Sequence, residues 1–133
     1  MIRIWEMPFV HVWFATKGRR RILEGDLLES ARRELAQAAD RHGIRLLECE
    51  GVLDHFHILV ELDQLSELSR AMNLLKGASA RAIFLEMPDL KHDIHSTSFW
   101  QAGYGSTLVP EAAVSTVRRY IRTQWDRLEK YEH

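Results

Sequence analysis

Two histidines separated by one residue, His55 and His57, are the first candidates for chemistry in this chain. They lie in the segment DHFHILV, whose β-branched and aromatic residues predict a strand. Because strand side chains alternate between two faces, both imidazoles point the same way, about 6.5 to 7 Å apart along the backbone, and can converge on one cation. A metal site would still need a third ligand, and such a pair can equally well occupy an exposed sheet face.

A second candidate pair, Tyr120 and Gln124, lies near the C-terminus at a spacing of four residues. On a helix this spacing places both side chains on one face, one turn apart. A phenol can act as a nucleophile on a metal-bound phosphate, and an amide oxygen is a hard ligand suited to Mg²⁺ or Mn²⁺. Taken alone, the two residues could also be partly buried packing residues at the edge of an amphipathic helix.

The elements that must position these residues follow from hydrophobic periodicity and from glycine and proline punctuation. Four strands are predicted: Phe9–Thr16, Ile44–Cys49, His55–Leu62 and an irregular Phe99–Val109, with a loop at Glu50–Asp54. Three helices are predicted: one capped by Asp26 and stopped by Gly43, one from Ser66 that ends before Pro88, and one that begins at Pro110. Their inward stripes are Leu28, Ala31, Leu35 and Ala38; Leu68, Met72, Leu75, Ser79 and Ala82; and Val114, Val117, Ile121, Trp125 and Leu128. A loop is expected between Pro88 and Phe99.

This order of elements predicts an α+β protein with a ferredoxin-like split βαβ antiparallel sheet and an additional C-terminal helix that carries Tyr120. In that topology the first and third strands are neighbours at the centre of the sheet. Two helices cover one face, so the face with His55 and His57 is left for a ligand, a nucleic acid or the last helix. Many unrelated activities use this fold, and function must therefore be argued from the site.

Length and composition limit the class of protein. The chain has 133 residues, of which 46% are hydrophobic and 28% charged, as expected for a single globular domain over residues 1–133. No apolar run approaches the ~20 residues of a membrane span and no signal peptide is recognised, so we expect a cytoplasmic protein with no membrane partner. The single cysteine, Cys49, excludes an internal disulfide and is expected to be a packed strand residue.

Positive charge is clustered, although the net charge of −1 argues weakly against a nucleic-acid partner. One cluster surrounds Gly18 and the other lies on the last helix: Lys17, Arg19, Arg20 and Arg21, and Arg118, Arg119 and Arg122. Both clusters could hold phosphates locally, or they could be solvated faces that offset acidic ones.

Four segments of the chain together resemble the single-tyrosine transposases of bacterial insertion sequences. This is the transposase A group of the His-hydrophobic-His (HUH) nucleases, with its REP-associated tyrosine transposase relatives. The segments are His11–Lys17, Asp54–Val60, Phe99–Gly105 and Tyr120–Gln124. Each is short, but their order and intervals also agree and they span nearly the whole chain, so the joint match is specific.

The resemblance implies that His55, His57 and Gln124 bind Mg²⁺ or Mn²⁺ and that Tyr120 is the nucleophile. It implies a DNA transposase that cleaves and rejoins single-stranded DNA at hairpin-marked ends through a 5′-phosphotyrosine intermediate. It also implies a homodimer in which the tyrosine helix of one subunit can complete the site of the other. Electrostatic binding makes eight basic residues candidate phosphate contacts: Lys17, Arg19, Arg20, Arg21, Lys76, Arg81, Arg118 and Arg122.

Several alternatives stay open at this point. Tyr104 and Tyr131 are rival nucleophiles that lack a potential ligand at the right helical offset, and His11 could approach the histidine pair from the first strand as a structural or DNA-contacting residue. Core packing is a stronger expectation than base stacking for Trp13, Trp100 and Trp125. The chain could also be a domesticated relative that processes genomic repeat hairpins, or a noncatalytic ferredoxin-like nucleic-acid-binding module.

Overall fold

The computed structural model describes residues 8–127. The strands are β1 (Phe9–Ala15), β2 (Arg45–Val52), β3 (His55–Glu61) and β4 (Gly105–Val109). The α-helices are α1 (Gly25–Arg41), α2 (Leu68–Glu86), the single turn α3 (Leu90–Asp93) and α4 (Val114–Arg122). Short 3₁₀ turns lie at Lys17–Arg19, Leu65–Glu67 and Glu111–Ala113, and residues 124–127 are again helical. No helix within residues 8–127 is long and apolar enough to cross a membrane.

The four strands form one antiparallel sheet in the order β2-β3-β1-β4. The first and third strands are therefore central neighbours, as the element order predicts, and Val12 pairs directly with Ile58. The predicted α+β class, with a ferredoxin-like sheet and an additional C-terminal helix, is confirmed.

The core lies between the sheet and helices α1 and α2. Alternate residues of the two central strands are buried there: Val10, Val12 and Phe14 of β1, and Phe56, Ile58 and Val60 of β3. The predicted stripe of α1 is buried, as are Met72, Leu75 and Ser79 of α2, whereas Leu68 and Ala82 are partly buried. Because side chains alternate along a strand, the intervening residues of β1 and β3 are presented on the opposite face.

Helix α4 covers part of that opposite face. Ile121 is buried against Leu59 of β3 and Val109 of β4, and Val114 and Val117 pack around them. These three α4 residues confirm the predicted inward stripe, and Trp125 is partly buried. Leu128, also predicted to point inward, lies outside the described residues.

The hairpin between β2 and β3 is tighter than predicted. Instead of a loop over Glu50–Asp54, β2 continues to Val52, which pairs with His55, and only two residues form the turn. Gly51 permits this extension, because the ring of its cross-strand partner Phe56 lies over it and a Cβ on Gly51 would come within 2.4 Å of that ring. The sequence suggested a loop because glycine more often marks a turn than a strand.

The predicted strand Phe99–Val109 is a strand only from Gly105 onwards. Phe99 and Trp100 are both buried although they are consecutive, which the alternation of a regular strand does not permit. The indole Nε1 of Trp100 donates to Ser79 Oγ on α2 at 2.9 Å. This segment is therefore anchored by two aromatic side chains in the core, and Trp100 forms an isolated antiparallel bridge with Thr16 at the end of β1.

Three further boundaries differ from the prediction. Helix α1 begins at Gly25 after Glu24 and has no side-chain cap, so Asp26 lies in its first turn, where a carboxylate still suits the helix dipole. Helix α2 begins at Leu68 after a 3₁₀ turn and not at Ser66. The expected loop before Phe99 contains the helical turn α3.

Cys49 is a packed strand residue, as predicted. It lies on β2 opposite Ile58 and is partly buried against the core. Burial raises the pKa of its thiol, so the group stays protonated at neutral pH.

Candidate active site

Three histidines share the sheet face that α1 and α2 do not cover. His55 and His57 lie on β3, and His11 lies on the neighbouring strand β1. The ring centroids of His55 and His57 are 4.9 Å apart, and those of His11 and His57 are 5.1 Å apart. The two central strands thus hold three imidazoles in one small patch.

Both histidines of β3 are oriented through Nδ1. His55 Nδ1 bonds to Asp54 Oδ1 at 2.7 Å, and His57 Nδ1 shares a hydrogen bond of 2.9 Å with His11 Nε2. Since Nδ1 is engaged in both rings, Nε2 is the nitrogen that each would offer to a cation. Metal-binding histidines are commonly oriented in this way, through a bond from the second ring nitrogen to a carboxylate or another acceptor.

Burial and neighbouring charges keep His11 and His57 of this patch in the neutral state that a cation requires. Burial, reinforced by the neighbouring His55 and His11, lowers the pKa of His57 to about 3, and burial also lowers the pKa of His11. For Asp54, burial acts to raise the pKa, but the hydrogen bonds from His55 and Arg19 outweigh it and the pKa lies below its usual value. At neutral pH, His11 and His57 are therefore neutral and Asp54 is ionised.

The histidine patch does not complete a metal site by itself. Among residues 8–127, no three histidine, cysteine, aspartate or glutamate side chains are grouped so that they could hold a metal ion. A cation at His55 and His57 would therefore need an amide, a phosphate oxygen or water as further ligands.

Tyr120 extends from α4 onto this patch of histidines on the sheet. Its ring centroid is 5.7 Å from that of His57 and 5.9 Å from that of His11, with the rings close to perpendicular. The side chain remains 37% exposed, and the guanidinium of Arg127 lies 4.7 Å from the ring centroid. Within the single chain, the candidate nucleophile and the candidate metal ligands are thus adjacent.

Gln124, the predicted third ligand, is only 8% exposed. Its Nε2 donates to the backbone oxygen of Tyr120 at 2.8 Å, so Oε1 is the atom that could accept or coordinate. Its role as a ligand stays a prediction.

A cavity of about 430 Å³ opens beside the two histidines of β3. Its walls come from β1, the turn after it, β3 and the segment that leads into β4: Trp13, Phe14, Ala15, Arg19, His55, His57, Gln101, Ala102, Gly103, Tyr104 and Gly105. Tyr104, the rival nucleophile, therefore lies on the cavity wall, and Tyr131 lies outside the described residues. A substrate bound at the histidines would have room to extend into this cavity.

The predicted phosphate contacts differ in how they are held. Lys17, Arg19, Arg20 and Arg21 are exposed around the turn after β1, as is Arg81 on α2, and Arg19 pairs with Asp54 at 3.3 Å. Lys76 donates to the backbone oxygens of Gln101 and Gly103 at 2.8 and 2.6 Å, and burial lowers its pKa. It therefore braces the cavity wall, and DNA contact by any of these residues stays a prediction.

Arg118 and Arg122 turn towards the protein. Both pair with Glu48 on β2, at 3.0 and 3.3 Å, and Arg118 Nη2 also donates to the backbone oxygen of Leu47. This contact could not be predicted from the sequence, because it depends on a register shift in the pairing of β2 with β3 between Leu46 and Glu48.

The exposure of Trp13 also differs from the prediction. Trp13 is 39% exposed on the cavity wall, whereas Trp100 is buried as expected. The one feature of the sequence that indicated an exposed Trp13 is its position two residues after His11, because this spacing places both side chains on one face of the strand.

Comparison with known proteins gives a consistent family. The family model described as "Transposase IS200 like" matches residues 6–124. The ISDra2 transposase TnpA of Deinococcus radiodurans is 26% identical over 124 residues, which cover 93% of this chain and 88% of that protein. The transposase for insertion sequence element IS200 of Salmonella typhimurium is 32% identical over 120 residues, 90% of this chain and 78% of that protein.

Solved structures agree with this assignment. A crystal structure from Deinococcus radiodurans, assigned as a transposase, has a TM-score of 0.70 and 28% identity and covers 87% of this chain and 89% of that one. A REP-associated tyrosine transposase bound to a REP hairpin has a TM-score of 0.61 over 92% of this chain and 70% of that one, and at 11% identity it supports the fold alone. With a family model that spans the three histidines and Tyr120, this chain belongs to the IS200-like, single-tyrosine HUH transposases.

Proposed function

We propose that this transposase cleaves and rejoins single-stranded DNA through a covalent bond to Tyr120. The observation that supports this most directly is the position of the Tyr120 ring against His57 and His11 on the sheet face left open by α1 and α2. A noncatalytic binding module would have no need of a partly exposed tyrosine above two oriented, neutral imidazoles.

The residues present fit a divalent cation of the Mg²⁺ or Mn²⁺ type. His55 and His57 would bind through Nε2, and Gln124 would bind through Oε1 as the third ligand. When bound, the cation would polarise a nonbridging oxygen of the target phosphate and stabilise the charge of the transition state.

The covalent step exchanges one phosphodiester linkage for another, and the phenol gives up its proton as it attacks. The phenol oxygen of Tyr120 forms a bond to phosphorus, the bond from phosphorus to the 3′ oxygen breaks, and that oxygen takes up a proton. The 5′ end stays on Tyr120 as a phosphotyrosine. A 3′-hydroxyl of another strand can then attack the same phosphorus, which restores a phosphodiester and frees the phenol without an external energy source.

The proposed substrate is single-stranded DNA in which a hairpin marks the cleavage site. One structural neighbour was solved with a REP hairpin, and the exposed basic turn Lys17–Arg19 borders the cavity beside His55. We also propose that the chain acts as a homodimer, like the transposases that it resembles.

Denaturing gel electrophoresis would test the proposal. Labelled single-stranded DNA from each flank of the gene would be incubated with Mn²⁺ or Mg²⁺ and either the unaltered chain, Tyr120→Phe or Tyr104→Phe. The Tyr104→Phe variant is a matched control, because it removes the same hydroxyl from an exposed tyrosine on the cavity wall. We expect a metal-dependent covalent band from the unaltered chain and from Tyr104→Phe, and none from Tyr120→Phe.

Other outcomes would redirect the assignment. A band that persists in Tyr120→Phe and disappears in Tyr104→Phe would move the nucleophile to the cavity wall. Binding of a flank with no band under any metal condition would support the noncatalytic module instead.

A further inference from the structure

We infer that the indole of Trp13 is a stacking platform for one unpaired base of the DNA, next to the bond that Tyr120 attacks. The inference rests on the proposed function and adds to it the residue that would position the strand. It concerns a side chain that the chemistry of cleavage does not require.

The indole lies flat against the sheet. Trp13 on β1 pairs with His57 on one side and with Gly105 on the other. A Cβ added to Gly105 would lie only 2.1 Å from the indole Nε1 and 2.2 Å from Cε2, so the ring must cover the backbone of this glycine. One face of the indole is thus sealed by β4, in an arrangement that any side chain at position 105 would prevent.

A second aromatic contact restrains the indole. The imidazole of His11, two residues earlier on the same strand face, meets the indole edge to face at a centroid distance of 5.3 Å. His11 in turn bonds to His57 at 2.9 Å. The indole is therefore held in one orientation by the same residue that orients a candidate metal ligand.

The outer face of the indole is left open to the cavity. Trp13 is 39% exposed, whereas tryptophan is usually well buried. Helix α4 packs mainly over β2 and β3, towards the edge of the sheet opposite to β4. The cavity of about 430 Å³ that it lines falls within the range of roughly 300 to 1,000 Å³ typical of small-ligand sites. Tyr104 and Arg19 stand elsewhere on the same wall.

These features fit an unpaired base better than any other part of the DNA. A flat, preoriented aromatic ring with one free face offers stacking but few hydrogen bonds, and every base has a π-face to stack on it. Paired bases inside a duplex are stacked on their neighbours on both sides and have no free face for the ring. Because Trp13 is the cross-strand partner of His57, a base on the indole would belong to a nucleotide beside the phosphate held at the histidines.

The test uses binding, so that it does not depend on cleavage. Fluorescence anisotropy would be measured with fluorescein-labelled single-stranded DNA from the gene's flanks, in the Tyr120→Phe background with Mg²⁺. Each nucleotide of the bound flank would be replaced in turn by an abasic residue, and the scan would be repeated with Trp13→Leu. Tyr104→Leu is the matched control, since it removes the other exposed ring from the same wall.

We expect one abasic position to weaken binding about tenfold when Trp13 is present, consistent with roughly 1 to 3 kcal/mol for stacking one base. The Trp13→Leu variant should bind intact DNA about tenfold more weakly and should no longer respond to that abasic position. The Tyr104→Leu variant should keep the response. Gly105→Ala, which displaces the indole without removing it, should behave like Trp13→Leu.

Three results would overturn the inference. An abasic profile that is identical with and without Trp13 would show that no base stacks there. A response that is lost in Tyr104→Leu and kept in Trp13→Leu would assign the platform to Tyr104. If the chain binds neither flank, the proposed function fails and the base site fails with it, whereas binding that ignores Trp13 leaves the proposed function standing.

Discussion

The hydrogen bond between His11 and His57 decides which nitrogen of His57 can meet a cation. For Nε2 of His57 to offer its lone pair, Nδ1 must carry the proton and donate it to Nε2 of His11. His11 therefore acts as an acceptor that fixes the tautomer of its neighbour. Its burial, which lowers its pKa, favours the neutral form that can accept.

Replacing His11 should therefore weaken metal binding although His11 is not proposed as a ligand. We predict that His11→Ala lowers the affinity for Mn²⁺ by roughly 10- to 100-fold, the usual cost of losing such an orienting partner. Titration calorimetry on the metal-free protein measures this directly. His11→Gln, which restores an acceptor, should recover part of the affinity, and an unchanged affinity in His11→Ala would remove the orienting role.

Replacement by alanine should change the free energy of unfolding in opposite directions at Gly51 and at Gly77. Gly51→Ala would drive a Cβ to 2.4 Å from the ring of Phe56 and should destabilise the protein by about 1 to 3 kcal/mol. Gly77→Ala adds a Cβ to helix α2 where nothing lies within 4 Å, and should stabilise it by about 0.5 to 1 kcal/mol. Urea denaturation measures both, and a neutral Gly51→Ala would mean that the Phe56 ring can move aside.

At this scale the sequence predicted the residues whose spacing is local. His55 and His57 share a strand face, which is enough to propose them. The roles of His11, Trp13 and Gly105 depend on which residues β1 faces in β3 and β4, and this register is a tertiary property that no local pattern specifies.

At the scale of elements, one carboxylate adds to the apolar packing that holds helix α4 on the sheet. Glu48 has a side chain only 14% exposed and pairs with both Arg118 and Arg122, while Ile121 packs on Leu59 one turn away. Both arginines lie within two residues of Tyr120 along the helix. The ion pairs therefore contribute to the position of Tyr120 as well as to that of the helix.

Loss of Glu48 should loosen α4 more than the rest of the protein. We predict that Glu48→Ala speeds amide hydrogen exchange in Val114–Arg122 about fivefold, equivalent to ~1 kcal/mol once the partial exposure of both arginines is discounted. Exchange in Gly25–Arg41, measured by mass spectrometry in the same sample, should change little and serves as the internal control. Equal acceleration in both helices would indicate general destabilisation instead.

Element order and topology could be predicted from the sequence, because periodicity and breakers identify the helices and strands one by one. The errors arose where tertiary contacts override a local signal. Gly51 predicts a turn but is a strand residue beneath the ring of Phe56. Phe99 and Trp100 predict a regular strand, but both side chains are buried in the core.

At the scale of the whole molecule, one chain contains both halves of the candidate site. The Tyr120 ring lies within 6 Å, centroid to centroid, of His11 and His57 of the same chain. A dimer built from this arrangement would have two independent sites. A dimer that exchanged its tyrosine helices would have two shared ones.

Co-expression of two inactive variants distinguishes a dimer with two independent sites from one with exchanged tyrosine helices. We predict that Tyr120→Phe and His57→Ala, purified together as one preparation, form no more covalent DNA adduct than either variant alone. The physical reason is that no chain in the mixture carries both groups. Recovered adduct in the mixture would show that the tyrosine helix serves the partner subunit, and analytical ultracentrifugation would confirm that mixed dimers were present.

The single cysteine makes the position of the tyrosine helix open to direct observation. Cys49 is partly buried on β2 and its thiol has a raised pKa, so it should react slowly with maleimides near neutral pH. A cysteine introduced at the exposed position Ser115 on α4 would then carry a single fluorophore without prior removal of Cys49. Energy transfer between two such labels could follow the separation of the two tyrosine helices while a dimer binds and releases DNA.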